Sequence, residues 1–326
     1  MKHNRIGLIQ IDGKLPNLAL MKISTFYKSQ GYDVEFAWPL GQYDQVFASV
    51  LFTWNREKAE EICQRYDNVE IGGTGWSLTK TLPPEIEACK PDYDLYTVEM
   101  LTPSLKRGIK KANTAIEKAQ EIVDMGIGFT SRGCVRSCGF CVVKAKEGEL
   151  RQDSKIADLI NPRSNKITLY DNNLPADPEC LDKLAEIQQR GLIVDISQGI
   201  DVRKMTEDIA ISLGKTRFMR SLHYAWDLMP FESNVLSGIE LLSQHVKPWR
   251  HMCFVLCGYD TTHEEDMYRA MKLDSLGVAP YIMKYNNRTD DLWLNHFVRW
   301  INGRIYKTCQ FDEYTAWIKA QAKAAS

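Results

Sequence analysis

Met125-Gly126-Ile127-Gly128-Phe129-Thr130-Ser131-Arg132-Gly133-Cys134-Val135-Arg136-Ser137-Cys138-Gly139-Phe140-Cys141 is the stretch on which the reading of this chain turns. Its first part, Gly126 to Thr130, suits a buried strand. The remainder is a glycine-punctuated loop with three cysteines spaced C-x3-C-x2-C. Thiolates bind soft metals and iron–sulfur clusters, and close spacing lets one loop wrap a cluster. A four-iron cluster normally takes four cysteines, so three leave one iron open, as an open position marks a catalytic zinc. Buried loop thiols, or a zinc knuckle that borrows Cys180, are the plainer readings of the same residues.

Working outward, strand patterns recur at Lys166–Tyr170, Ile193–Gln198, Arg217–His223, Met252–Cys257 and Pro280–Lys284. Helical patterns alternate with them at Cys180–Gln189, Glu207–Leu213, Asn234–Ser243 and Glu264–Leu276, the last opened by a Thr262/Glu265 capping box. Such a series over 125–290 predicts an open (β/α)6 partial TIM-type barrel, with its chemistry on the loops after the strands' C-terminal ends. Residues 291–326 read as a helical cover, from Trp293–Trp300 and Phe311–Lys323.

Upstream, strands at Arg5–Gln10, Val34–Ala37, Gln45–Phe52 and Val69–Gly72 alternate with helices at 17–30 and Arg56–Tyr66. This predicts a small Rossmann-like parallel α/β domain over 1–102. A polar helical connector over 103–124 follows, and its Lys106, Arg107, Lys110 and Lys111 read as a solvated face.

With 326 residues and 44% hydrophobic types, the chain is long and apolar enough for about two domains. Its 41 Lys+Arg nearly cancel 42 Asp+Glu, so a global basic field for nucleic acid or a membrane surface is absent. No apolar run reaches the ~18 residues of a membrane span, and the start lacks a signal-peptide pattern. Nine cysteines, an odd number in a chain too long to need disulfide staples, suit a reducing, cytoplasmic setting.

Cys134, Cys138, Phe140 and Cys141 match the C-x3-C-x-aromatic-C motif, and residues 125–290 thereby resemble the radical S-adenosylmethionine superfamily. The Thr-Ser-Arg-Gly-Cys context is usual there, whereas Val135 stands where proline is frequent. The resemblance implies a 4Fe-4S cluster on the three cysteines, with S-adenosylmethionine chelating the open iron. Reductive cleavage would then give a 5′-deoxyadenosyl radical acting on an unidentified substrate. An electron donor such as flavodoxin or ferredoxin is implied as a partner. Asp171, Asn172 and Asn173 match the family segment that meets the methionine ammonium, and their oxygens can accept its hydrogen bonds. An Asx turn explains them equally simply. Gln198, Asp201 and Arg203 are candidates for the ribose and carboxylate, with a structural ion pair as the alternative, and Gly258 for close approach to the adenine. Trp226-Asp227 suits either the substrate or a core Trp with a helix cap. Cys253 and Cys257 are too extended on a strand to wrap a cluster and read as core, as do His223 and His251. Glu147-Gly148 is a further family feature without a role.

The N-terminal unit resembles a cobalamin-binding domain whose D-x-H-x-x-G element is degenerate, with Lys14 replacing the imidazole and Asn17 the glycine. Ser49-Val50-Leu51 and Gly72-Gly73 fit the later elements, which are short and weak; without the imidazole the usual lower cobalt ligand is missing, so a cobalamin-free domain is preferred over retained cobalamin. The double glycine equally suits a nucleotide-like group or a tight connection. A cobalamin-dependent methylase and a non-catalytic metal- or cluster-binding regulator are the alternatives to a cobalamin-free radical enzyme. A methylthiotransferase is disfavoured, since only Cys63 and Cys89 precede the core. Nucleic acid is not indicated as a partner, nor is a membrane.

Overall fold

The computed structural model describes residues 4–106, 112–287 and 289–324. The chain divides into two compact units, Met1–Arg136 with Val142–Tyr170 and Ser137–Cys141 with Asp171–Ser326. Most strand pairs are parallel and most connections are helical, a mixed α/β architecture consistent with a partial α/β barrel. Among the described residues no helix is long and apolar enough to cross a membrane.

The first unit opens with β1 (Arg5–Gln10), α1 (Leu18–Ser29), β2 (Asp33–Phe36), β3 (Gln45–Ser49), α2 (Arg56–Cys63) and β4 (Val69–Gly72). These strands form one parallel sheet in the order β2-β1-β3-β4. The two inner strands carry the apolar runs, and Ile6, Leu8 and Phe47 pack with Leu20, Met21 and Ile23 of α1. Burying each such side chain contributes roughly 1.5–3 kcal/mol. Asn17 caps α1 by accepting from the Leu20 N–H at 3.2 Å. Gly31, at φ +83°, lets the chain reverse into β2. β3 stops at Ser49 rather than Phe52, because the N–H groups of Leu51 and Phe52 donate to the Asp12 carboxylate at 2.7 and 3.0 Å.

Next come α3 (Pro84–Glu87), α4 (Val98–Lys106) and α5 (Ala112–Asp124). The expected helix from Ser104 instead starts at Val98, with Pro103 inside it. Proline marks a preferred helix start, but here the Thr102 hydroxyl already bonds the Val98 carbonyl upstream of it at 2.7 Å. Arg107, Lys110 and Lys111 of the expected basic face lie outside the described residues. Then follow β5 (Gly126–Gly128), β6 (Ser131–Arg132), α6 (Val143–Glu147), β7 (Arg151–Gln152), α7 (Ile156–Leu159) and β8 (Lys166–Leu169). β5 pairs with β8 in parallel, while β6 and β7 form a short antiparallel hairpin.

The second unit contains α8 (Cys180–Gln189), β9 (Ile193–Ile196), α9 (Glu207–Lys215), β10 (Arg217–Phe218), β11 (Leu222–Ala225), α10 (Glu232–Ser243), β12 (His251–Cys257), α11 (His263–Ser275), β13 (Ala279–Lys284), α12 (Leu292–Asn302) and α13 (Phe311–Ala324). The single strand expected over Arg217–His223 is two: β10 pairs with β9, and β11 with β12. An apolar run specifies burial but not which neighbour it joins, so the division left no trace in the pattern. β11, β12 and β13 form a parallel sheet in that order. The Asn302 side-chain amide donates to and accepts from the Ile282 backbone at 3.0 and 2.8 Å, covering part of the outer edge of β13.

Candidate cofactor and substrate site

The approach to the cysteine loop is built in the first unit around Arg132. Its guanidinium reaches Glu87 at 2.6 Å, Asp153 at 2.8 Å and Glu147 at 3.4 Å, and lies 4.0 Å over the Phe129 ring. Burial alone would lower its pKa, but the three carboxylates more than reverse that and raise it. Glu147 is therefore a partner of Arg132, which gives the Glu147-Gly148 pair a structural role. Gly133 sits at φ +83° with its α-carbon against the Glu149 carbonyl, which any side chain would overlap. The Cys134 N–H donates to the Gly148 carbonyl at 3.3 Å, and the Cys134 sulfur accepts from the Arg136 N–H at 3.4 Å.

In the second unit, Cys141 donates its N–H to the Cys138 carbonyl at 3.0 Å, a tight turn that presents Gly139 and Phe140. Phe140 meets Tyr259 edge-to-face at 5.4 Å, and Tyr259 meets Tyr285 at 4.8 Å. A β-carbon on Gly139 would stand 2.7 Å from the Tyr259 hydroxyl oxygen. Tyr259 follows Gly258, which at φ +79° turns the chain at the end of β12. Gly258, the residue expected near the adenine, thus sets the position of the Tyr259 ring that meets Phe140.

Asp201 is the centre of the polar group after β9. It accepts from the Arg203 N–H and Nε at 3.3 and 2.6 Å, and from Asn173 Nδ2 at 3.3 Å. Arg203 also lies 4.9 Å over the Phe231 ring. Burial works to lower its pKa, yet Asp201, then Cys138 and Asp227, leave it raised. Asp171 and Asn173 are buried, Asn172 half-buried, and Gln198 exposed. The structure thus brings Asn173, Asp201 and Arg203 together, with Cys138 in their electrostatic range. It gives Asp201 and Arg203 the ion pair considered as their alternative.

One group behind this site was not visible in the sequence. Arg269, fully buried on α11, donates to the carbonyls of Trp226, Asp227 and Leu256 at 2.6, 2.8 and 2.8 Å and to Asp266 at 2.5 Å. It fixes the chain where β11 and β12 end. Trp226 is core, while Asp227 caps no helix: the 3-10 turn after it starts from Leu228 and α10 from Phe231. Cys253, Cys257 and His251 are buried as expected, and burial drives the His251 pKa down to about 4.

All nine cysteines are free thiols. Among the described residues no three His, Cys, Asp or Glu side chains stand close enough together to hold a metal ion. Thiolates repel one another, and ligands commonly converge only as the metal binds. The donor set itself, three thiols on one eight-residue loop with an N–H···S bond already formed, fits an iron–sulfur cluster.

Cobalamin does not fit. Lys14 replaces the imidazole, the Asp12 carboxylate is taken by Leu51, Phe52 and Asn55, and Asn17 bonds Ser49 at 2.8 Å. Gly73 lies against the Val50 carbonyl, and a β-carbon on Gly75 would be 2.6 Å from Phe52. Of the double glycine, Gly73 makes a tight connection at φ +99°, whereas nothing crowds Gly72.

No family profile matches the chain, and no curated protein sequence matches it. Among solved structures it is similar to Streptococcus suis SuiB bound to precursor peptide SuiA, at 11% identity and a TM-score of 0.38, over 60% of this chain and 53% of that one. It is also similar to Streptococcus suis SuiB bound to S-adenosylmethionine, at 12% identity and a TM-score of 0.36, over 63% and 58% of the two chains. The chain therefore spans little more than half the length of these proteins. A likeness of this extent carries no argument about activity.

Proposed function

We propose that this chain is a radical S-adenosylmethionine enzyme that carries its chemistry on an open partial barrel. The observation that carries the reading is the C-x3-C-x-aromatic-C run, Cys134 to Cys141, on the loop after β5 and β6 in a series of parallel strands and helices. Cys134, Cys138 and Cys141 would hold a 4Fe-4S cluster, and Asn173, Asp201 and Arg203 would contact S-adenosylmethionine. When bound, these cofactors supply a carbon-centred radical by reductive cleavage of a carbon–sulfur bond. The chain's own residues bind and orient. Arg203, held charged by Asp201, offers remaining guanidinium N–H groups to a carboxylate. Phe140, packed edge-to-face on Tyr259, would fix the orientation of the loop between Cys138 and Cys141. Electrons would come from an external one-electron donor of the flavodoxin or ferredoxin kind.

The test is anaerobic reconstitution with iron and sulfide, addition of a reductant, and chromatography. Release of 5′-deoxyadenosine and methionine is expected from the native chain. Cys138→Ala should lose bound iron and both products while its far-UV circular dichroism stays native. Absence of both products from the native chain, with zinc tightly bound instead, would favour a metal-binding regulator.

A further inference from the structure

We infer that the open face of the β11–β12–β13 sheet binds the apolar body of a substrate whose primary ammonium group pairs with Asp227. This rests on the proposed function and names the substrate class for its site. Along β11, Leu222 and Tyr224 are buried, whereas His223 and Ala225 are half-buried on the opposite face. The alternation continues past the strand: Trp226 is buried and Asp227 half-buried, on the side of His223 and Ala225. The Trp226 N–H still bonds the Phe254 carbonyl at 2.9 Å, so the ladder carries Asp227 into line with Leu256.

The register orders this face in rungs. His223, Met252 and Ala279 align, then Ala225, Phe254 and Tyr281; Leu256 and Met283 align next, and the chain leaving β11 runs toward them with Asp227. Tyr281 and Met283 are 37% and 46% exposed, although they stand on a strand whose other side is core. An apolar surface ending in one carboxylate matches an alkyl or aromatic body with a polar head.

Charge selects the head. Arg203 is paired with Asp201 and Arg269 with Asp266, so each pair cancels. Asp227 adds a further carboxylate beside these two pairs, in the field of both arginines but ion-paired with neither. Burial raises its pKa to about 6; Arg203 and Arg269 work to lower it, and Asp201 to raise it. The nearby thiols of Cys253 and Cys257 have raised pKa values, chiefly through burial, and stay neutral. A cation arriving at Asp227 therefore meets a half-desolvated carboxylate, where a charge pair is stronger than in water.

The test uses three six-carbon probes on the metal-free chain: hexylammonium, hexanol and hexanoate, with binding read by calorimetry at pH 7.5. Hexylammonium is expected to bind about tenfold tighter than hexanoate, corresponding to about 1.4 kcal/mol. Asp227→Asn should bring the two within about threefold and leave hexanol unchanged. Met283→Ser should weaken hexanol and hexylammonium alike, which checks the apolar face without touching the carboxylate. No preference for the ammonium, or one that survives Asp227→Asn, overturns the inference. So does a loss of S-adenosylmethionine affinity in Asp227→Asn, which would assign the carboxylate to the cofactor. Because the three probes bind without a cluster, the outcomes read with them are separate from the 5′-deoxyadenosine test of the proposed function.

Discussion

Arg269→Met should unfold the strand ends of the second unit far more often than any surface change. The guanidinium is fully buried, Asp266 beside it is 1% exposed, and three main-chain carbonyls depend on it. Methionine fills much of the volume but donates nothing. The carboxylate of Asp266 would retain the neutral donors Thr261, 2.6 Å away, and the Cys257 thiol, and the carbonyls of Trp226, Asp227 and Leu256 would lose charged donors. Leaving one partner of a buried ion pair uncompensated costs about 3–5 kcal/mol. The carbonyl losses lie partly within that figure, since strand ends can relax toward water. A loss of about 3 kcal/mol is roughly a hundredfold in an opening equilibrium. Hydrogen exchange read by mass spectrometry on peptides covering β11 and β12 measures that opening directly. Protection should fall by a hundredfold or more there, and much less in β1 and β3. The double change Asp266→Leu with Arg269→Met should recover part of it, because no charge is then left unpaired. A fall below about tenfold, or no recovery, would show that the arginine is not what holds the strand ends.

Three further outcomes follow from local features. Gly133→Val forces a branched residue to φ +83° against the Glu149 carbonyl, at a cost of about 1–3 kcal/mol from the backbone conformation alone; a lowered thermal midpoint checks it. The Asp227 carboxyl, with its folded pKa raised to about 6 above the free value, binds its proton more tightly when folded. Its stabilising contribution is full below pH ~4 and is lost as pH rises toward 6, so Asp227→Asn should gain about 1–3 kcal/mol over the native chain above pH 6 and nothing below pH 4, by urea titration. Asn302→Leu exposes the Ile282 backbone groups on the edge of β13, and light scattering should show association at concentrations where the native chain is unassociated.

Much of the framework was legible because it is local. The apolar runs of β1 and β8 and the Thr262/Glu265 box are all set by neighbours within a few residues, and each stands where the pattern put it. The β6–β7 hairpin was invisible, since two-residue strands leave no periodic signal. The Arg132 group draws Glu87, Glu147 and Asp153 from three separate segments, and no spacing rule connects them. Asp227 was ambiguous beside Trp226 until the burial alternation separated the two, placing one in the core and the other on the open face. Periodicity could have found it, had the expected strand not been drawn to end at His223.

The clasp formed by Asp12 sets a limit on redesign of the first unit. Its carboxylate gathers Leu51, Phe52 and Asn55, and Gly73 and Gly75 rest on the same turn, so one side chain ties the loops after β1 and β3 together. Lys14→His would place an imidazole two residues from a carboxylate that the chain already uses to hold its own loops, so any change that recruits Asp12 to a new task loosens those loops first.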